Sequence, residues 1–375
     1  MNDIKSKIYI GFITYGNQTA KYLPYFLPSL KNQTFKDFKI LAIDNSEELD
    51  NENAKYIKNN FTPLNKVAGE VNQKNIDIAD GLKPLADSKY LMGFPEINLR
   101  WAGENLGFAK AFNLMIKKAV ENGAEYFLAL NPDMILEAEA IEELVRVART
   151  DETIAAVQPK ILKWNFSENK KTNIIDSLGL LCDQKFRFRD EKQGEIDTMT
   201  LEPEEIFGFT GAAALLNLRA LRDTAFTDGN KLEYFDELMF MYKEDCDLSL
   251  RLRLAGWKIM LAPRAVAYHD RAHSRFGDSL WRVIKNRRGK KRLLKIWSNW
   301  GQWLIVLKYV RLSFSPRTKF LIWWYELEVF IFMVLFEQYL LKDFIGIWRE
   351  RKSVAARREQ LKVRINLREL EALMR

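Results

Sequence analysis

An α/β fold, a sheet flanked by helices, follows from three features of the sequence. Short apolar runs with β-branched residues recur, among them residues 7–14 (KIYIGFIT), 38–44 (FKILAID) and 125–130 (EYFLAL). The stretches between them have helical spacing, as crossovers between parallel strands require. Polar or acidic residues stand where several runs stop: Asp44 closes one, and Asp133 follows another in NPDMILE. Open α/β sheets bind ligands beyond the carboxyl ends of their strands.

Taken in order, residues 7–14 and 38–44 read as buried strands, and Leu23, Phe26, Leu27 and Leu30 share one face of a helix between them. Residues 47–95 are polar, turn-rich and weakly periodic, and read as a long excursion with some helix. A strand near residues 97–101 leads through a glycine turn (AGENLGFA) to a helix over about 108–122, closed by Gly123. EYFLAL is the next strand, LEAEAIEELVRVART an amphipathic helix and TIAAVQPKIL another strand. Residues 164–203 read as irregular. IFGFTGAAALLNLRAL combines a strand with small residues that let backbone approach a ligand. A helix ending near Gly256 and the strands of KIMLAPRAVAYH complete a domain expected to end near Gly277 or Asp278.

Composition limits the function classes. Apolar residues make up 47% of the 375, ample for a core. The two cysteines, Cys182 and Cys246, exclude a disulfide framework and suggest a reducing compartment. The first residues, MNDIKSKIYIGFITYGN, read as a strand rather than a signal peptide. From Leu280 onward there are 22 Lys and Arg against 8 Asp and Glu, a net of +14 that leaves −6 for the rest of the +8 chain. That asymmetry points to an anionic partner for the last hundred residues.

The carboxylates Asp44, Asp133, Glu244 and Asp245 all fall at strand ends or at the mouth of a helix. A carboxylate pair in an aromatic stretch (MFMYKEDCD) suits general-base work, because desolvation raises a carboxyl pKa. Asp133 suits a divalent cation shared with substrate phosphates. His269, at the end of a strand, could complete a metal site; the other histidine is His273. Each also has a structural reading. An Asp after a strand is a common helix cap, Glu244 and Asp245 could open a helix, and GENLGFA lacks the spacing of a dinucleotide site.

Order and spacing distinguish these readings. The set ITYGN, AIDNS, ENLGFAKAFN, LALNPD, GFTGAAALL, FDELMFMYKEDCDLSLRLRLAGW and AYH resembles the family 2 glycosyltransferases of the GT-A fold, in their rhamnosyltransferase-like branch. The resemblance covers about residues 7–275. It implies a Rossmann-like mixed sheet flanked by helices, with a helical C-terminal extension. It further implies that Thr14, Tyr15, Asp44, Asn105, Gly107, Asn131, Asp133 and Gly211 border a nucleotide-sugar, UDP- or dTDP-linked. Asp133 and His269 would bind Mn²⁺ or Mg²⁺, and Asp245, supported by Glu244, would be the catalytic base. Asn131 stands where relatives carry a carboxylate. The reaction implied is inverting transfer of a sugar, with rhamnose one option, to a glycan or lipid-linked hydroxyl in cell-envelope synthesis. A nucleotidyltransferase would need a triphosphate loop that ITYGNQTAKYLP does not show. A silent glycan-binding module would not need Asp133, Asp245 and His269.

The expected division is therefore a GT-A domain over residues 1–278 and a basic, aromatic-rich extension over 279–375. RTKFLIWWYELEVFIFMVLFEQYLLKDF approaches spanning length, but each charge near a helix centre costs about 2.5–3.5 kcal/mol. Lys319, Glu326 and Glu337 fall on one helical stripe, which suits a helix lying in an interface or packed on the domain. The extension is expected to meet an anionic membrane surface on its cytoplasmic side, or to form an oligomer contact. No motif supports nucleic acid. Residues 349–375 read as a charged, exposed helix.

Overall fold

Strand β1 (Ile8–Thr14) is buried on both faces, as a continuous apolar run in a parallel sheet requires. The structure, a computed structural model, describes residues 7–61, 82–88, 97–198, 202–271 and 291–374. β1 leads through α1 (Gly16–Ala20) and α2 (Leu23–Lys31) to β2 (Phe38–Asp44), its parallel neighbour. The predicted face of α2 is the one that packs: Leu23, Phe26, Leu27 and Leu30 are fully buried. The excursion at 47–95 contains α3 (Glu52–Phe61) and β3 (Lys83–Ser88) among its described residues. Next come β4 (Ile97–Trp101), α4 (Gly107–Glu121), β5 (Tyr126–Leu130), the short β6 (Met134–Leu136), α5 (Ala140–Ala148) and β7 (Ile154–Asn165). Gly123, just past α4, has the positive φ of 77° that a helix stop favours.

Residues 164–203 differ from expectation. They include β8 (Lys170–Ser177), β9 (Leu180–Cys182) and β10 (Phe188–Asp190), with β8 antiparallel to β7 and β10 antiparallel to β9. β9 and β10 were hidden because each has only 3 residues, and β8 because it is polar and solvated over its first half. β11 (Glu204–Glu205), β12 (Ala213–Asn217), α6 (Leu218–Thr224), β13 (Phe226–Asp228), β14 (Lys231–Glu233), α7 (Glu244–Leu254) and β15 (Lys258–His269) follow.

The main sheet runs β11-β15-β7-β12-β5-β1-β2-β4-β3, with β6 beside β15 and β8 beside β7. β1 pairs parallel with β2 and β5, β2 with β4, and β15 with β7, whereas β12 lies antiparallel between β5 and β7. The sheet is therefore mixed. The ends of β1, β2, β5 and β15 and the start of β12 share one edge. In register, Thr14 lies opposite Asp44, Asp44 opposite Trp101, and Ala213 opposite Leu130. One apolar core packs α2 and α5 on one face; a second packs α4, α6 and α7 on the other.

The extension forms α8 (Arg292–Tyr309), α9 (Pro316–Phe336), α10 (Asp343–Arg349), α11 (Arg351–Glu359) and α12 (Leu367–Leu373). The expected boundary near Gly277 or Asp278, and His273, lie outside the described residues. Beyond them the extension packs into the molecule: Leu304, Ile305, Val306 and Tyr309 share a core with Leu180, Cys182, Cys246 and Leu250. The final stretch is not the exposed helix expected, since Val354, Arg357 and Leu370 are buried. Its charges find partners, Arg357 on Glu233 and Asp236, and Arg364 on Asp223. Among the described residues, no helix is long and apolar enough to cross a membrane.

One contact ties the two parts together. Lys308 of α8 is fully buried, with its ammonium 2.6 Å from Asp236 and also on Asp247 of α7. Breaking a buried charge cluster by removing one partner strands the remaining charges. Lys308→Met is expected to destabilise the chain by about 3–5 kcal/mol in denaturant unfolding. A change below about 1 kcal/mol, the scale of exposed pairs, would show that the cluster does not hold the extension in place.

Candidate active site

At the end of β5 the backbone turns through Asn131, Pro132 and Asp133. The Asn131 amide donates to the Ala212 carbonyl at 2.9 Å, and the Asp270 amide donates to the Asp133 carbonyl at 3.1 Å. β6 then pairs with β15 so that Met134 lies opposite His269. This register brings His269 Nε2 to 3.4 Å from Asp133 Oδ1. The other ring nitrogen, Nδ1, is 2.9 Å from Asp176 Oδ2 on β8. Arg271 extends the array, 2.6 Å from Asp190 Oδ2 and 3.7 Å from Asp176 Oδ1. Asp133 Oδ1 is buried and has no hydrogen-bond partner among the described residues.

The electrostatics follow from this packing. Burial alone would lower the His269 pKa, but the carboxylates of Asp133 and Asp176 on either side raise it to about 10. Burial likewise works against an ionised Asp176, yet the His269 hydrogen bond and the Arg271 charge hold its pKa below the usual carboxylate value. In the cation-free protein the imidazole is thus charged at neutral pH, and a metal bound there would displace its proton.

A second group of side chains forms where α7 begins. Tyr242 and Lys243 have φ of 70° and 76°, a left-handed pair of non-glycine residues whose cost is of order 1–3 kcal/mol each and is borne by the surrounding packing. The next two residues, read in the sequence as a working pair, have different surroundings. Glu244 is buried, and burial, reinforced by the Asp245 charge, pushes its carboxyl well above the ordinary value. Its Oε2 has no hydrogen-bond partner among the described residues. Asp245 is half-buried, and its Oδ2 accepts from the Gly211 amide at 2.8 Å. A Cβ at Gly211 would lie 3.4 Å from the Phe108 ring and 3.5 Å from Asp245 Oδ2. Gly211 therefore holds Asp245 while the next residue, Ala212, holds Asn131, which links the two groups through the start of β12.

The remaining predicted residues surround the same edge. Thr14 and Asp44 are fully buried: Asp44 Oδ1 accepts from the Thr14 and Ser46 hydroxyls at 3.0 and 2.7 Å, and Oδ2 accepts from Asn51 at 2.5 Å. Asp44 thus orders the loop beyond β2. Tyr15 is half-buried, with its hydroxyl 3.4 Å from Glu47. Asn105 accepts from the Gly107 amide at 3.0 Å. Gly107 has φ of 74°, and a Cβ there would sit 2.3 Å from the Phe240 carbonyl, so glycine is required. A cleft of about 280 Å³ opens here, between Asn105 and Phe240. A larger one, about 600 Å³, lies at the opposite sheet edge beside Arg149 and Arg222, away from these groups.

Sequence reasoning missed three contributors. Asp176 lies within residues 164–203, whose pattern is too irregular to point to a strand, and Arg271 follows the last motif. Asn113 ends the motif ENLGFAKAFN but was given no role. Its amide group bonds the Phe235 backbone in both directions, donating to the carbonyl at 2.8 Å and accepting from the amide at 2.8 Å, and so fixes the loop ahead of α7.

The family model described as glycosyl transferase family group 2 matches residues 126–342, from β5 through most of the extension. The chain belongs to that family. In this glycosyltransferase-family chain the mixed sheet with helices on both faces is the GT-A arrangement that the sequence implied. Two curated relatives, both named N-acetylglucosaminyl-diphospho-decaprenol L-rhamnosyltransferase, come from Mycobacterium tuberculosis strains CDC 1551 / Oshkosh and ATCC 25618 / H37Rv. Each is 29% identical over 208 residues, covering 52% of this chain and 64% of the relative. The chain thus spans less than two thirds of those relatives. A solved structure of GalNAc-T7 with UDP, GalNAc and Mn²⁺ aligns over 90% of this chain and 58% of its own, at 14% identity and a TM-score of 0.49.

The flanked imidazole gives a direct check. The His269 ring, assigned by its loss in His269→Gln, is expected to keep imidazolium NMR shifts at pH 8 without divalent cations, and Asp133→Asn to lower its midpoint. A midpoint near 6.5 in the unsubstituted chain would show that the two carboxylates do not act on it.

Proposed function

We propose that this chain transfers a sugar from a nucleoside-diphosphate donor to a hydroxyl of a glycan or lipid-linked acceptor, inverting the anomeric centre. The observation that carries the reading is the meeting of Asp133, His269, Gly211 and Asp245 at the carboxyl edge of the sheet, joined through residues 211–212. Family membership and the named activity of the mycobacterial relatives support the reaction class, with rhamnose as the first sugar to test.

Asp245 is the base in this reading. It is half-buried and held by the Gly211 backbone amide at 2.8 Å, beside a buried Glu244 whose carboxyl is pushed well above the ordinary value. It takes the proton of the acceptor hydroxyl as that oxygen attacks the anomeric carbon. The bond to the diphosphate breaks in the same displacement, so no covalent enzyme intermediate forms. Glu244 supports Asp245 in this reading, since burial and then the Asp245 charge both disfavour a second negative charge beside it. Asn105, Gly107 and the loop ordered by Thr14 and Asp44 form the nucleotide side, with Tyr15 at its rim and Asn131 beside the diphosphate.

The donor set fits a divalent cation. Asp133 offers a buried carboxylate oxygen without a hydrogen-bond partner, and His269 Nε2 lies beside it. Among the described residues there is no group of three or more His, Cys, Asp or Glu placed to hold a metal. Mn²⁺ and Mg²⁺ are commonly held by one or two protein ligands with the rest supplied by phosphates and water. Bound by Asp133 and His269, the cation would offset the negative charge of the leaving diphosphate. In this reading the basic extension would meet the inner face of a cytoplasmic membrane, where a lipid-linked acceptor would be found.

Asp245→Asn should keep donor affinity and lower transfer at least about 10²-fold, the scale of a general base. Near-normal transfer by this variant would exclude Asp245 as the base. Asp133→Ala should weaken nucleoside diphosphate binding measured calorimetrically in Mn²⁺ far more than in EDTA. Equal weakening in both buffers would argue against a metal-bridged contact.

A further inference from the structure

We infer that the outer face of α9 is a docking surface for an anionic lipid bilayer, with the helix lying along the membrane plane. The helix is inverted relative to one that packs a domain in water. Its buried side carries Thr318, Ile322, Glu326 and Met333, and Glu337 at its end is buried as well. Its outer side carries Phe320, Trp324, Leu327, Ile331 and Leu335, between 49% and 64% exposed, with Trp323, Phe330 and Val334 flanking them. At 100° per residue these exposed residues span an arc of about 140°, a continuous apolar stripe. The sequence had placed Glu326 and Glu337 on one stripe. The structure turns that stripe inward, where Gln302 of α8 donates to Glu326 at 2.9 Å and Lys295 pairs with Glu337 at 2.9 Å.

An exposed apolar stripe of this length marks an interaction surface. Its surroundings select the partner. Arg317 stands at the start of α9, and Lys342, Arg349, Arg351 and Lys352 follow its end, all exposed. Exposed cations at both ends of an apolar face that includes two tryptophans complement an anionic interface, where indole rings settle and basic side chains meet lipid phosphates. A second copy of the chain would set like cations against one another across a symmetric contact. Glu328 lies at the edge of the stripe and accepts from the Trp324 indole at 2.8 Å, which keeps its carboxylate at the rim.

The surface deepens the proposed reading, in which the acceptor is lipid-linked, because α8 touches both places. Gly301 packs so closely on the loop before Asp245 that a Cβ would lie 2.7 Å from the Tyr242 carbonyl. The neighbouring residue, Gln302, holds Glu326 of α9. One turn of α8 thus connects α9 to the loop that leads into the helix of the base.

The test is co-sedimentation of the full chain with vesicles of phosphatidylcholine alone or with added phosphatidylglycerol. Binding is expected to the anionic vesicles and to weaken with salt. The double variant Leu327→Glu/Ile331→Glu should bind at least tenfold less, with unchanged melting and unchanged nucleoside diphosphate affinity. Should that variant melt lower, Leu327→Ser decides in the same assay. Intact protein left in the supernatant at low salt, or variants that bind like the parent, would overturn the proposal. A dimer that Leu327→Glu/Ile331→Glu dissociates, without vesicle binding, would assign the face to a second copy and overturn it as well. Vesicle binding requires no sugar transfer, so its failure leaves the proposed chemistry standing, and an inactive Asp245→Asn should still bind.

Discussion

The helix that carries the proposed base sits on a buried set of charges, and the rest of the architecture depends on their balance. Asp236, Asp247 and Glu233 are all buried, and each is paired with Lys308, Arg251 or Arg357. Two of those cations come from the extension. Without them α7 would rest on uncompensated carboxylates, a cost no surface pairing offsets. Tyr309 adds a hydrogen bond to Asp247 at 2.8 Å. The strongly basic extension is thus partly an internal counterion, and the excess left on its outside is what remains for a partner.

Above that base the sheet imposes a second constraint. Parallel strands end on one edge, so the loops after β1, β2 and β5 gather there. The antiparallel β12 brings its beginning to the same place. Gly211 and Ala212 are thus consecutive residues serving two sites, one amide to Asp245 and one carbonyl to Asn131. The left-handed pair Tyr242–Lys243 is wedged between this edge and α8, which is how the extension reaches the chemistry.

Strand ends were legible in the sequence because a buried parallel strand is largely apolar, so Asp44 and His269 at the last strand positions, and Asn131 and Asp133 just beyond β5, stand out. α4 and α7 were legible through periodicity and their closing glycines. Asp176 was not, since β8 is half solvated and its apolar signal covers only Ile174 and Ile175 before the aspartate. The unequal surroundings of Glu244 and Asp245 could not be read from adjacent letters: a helix start turns neighbouring side chains in different directions. For α9 the stripe of Glu326 and Glu337 was visible, but its direction depended on Gln302 and Lys295, which lie on another helix.

A single displacement at the anomeric carbon with Asp245 as base fixes the stereochemistry of transfer. It is tested most directly by the anomeric configuration of freshly formed product, read by NMR with the full chain, Mn²⁺ and whichever UDP- or dTDP-sugar a binding screen selects. The expected product is inverted relative to the donor. A retained configuration would contradict it, because retention requires a covalent or front-face route that this arrangement of Asp245 does not provide.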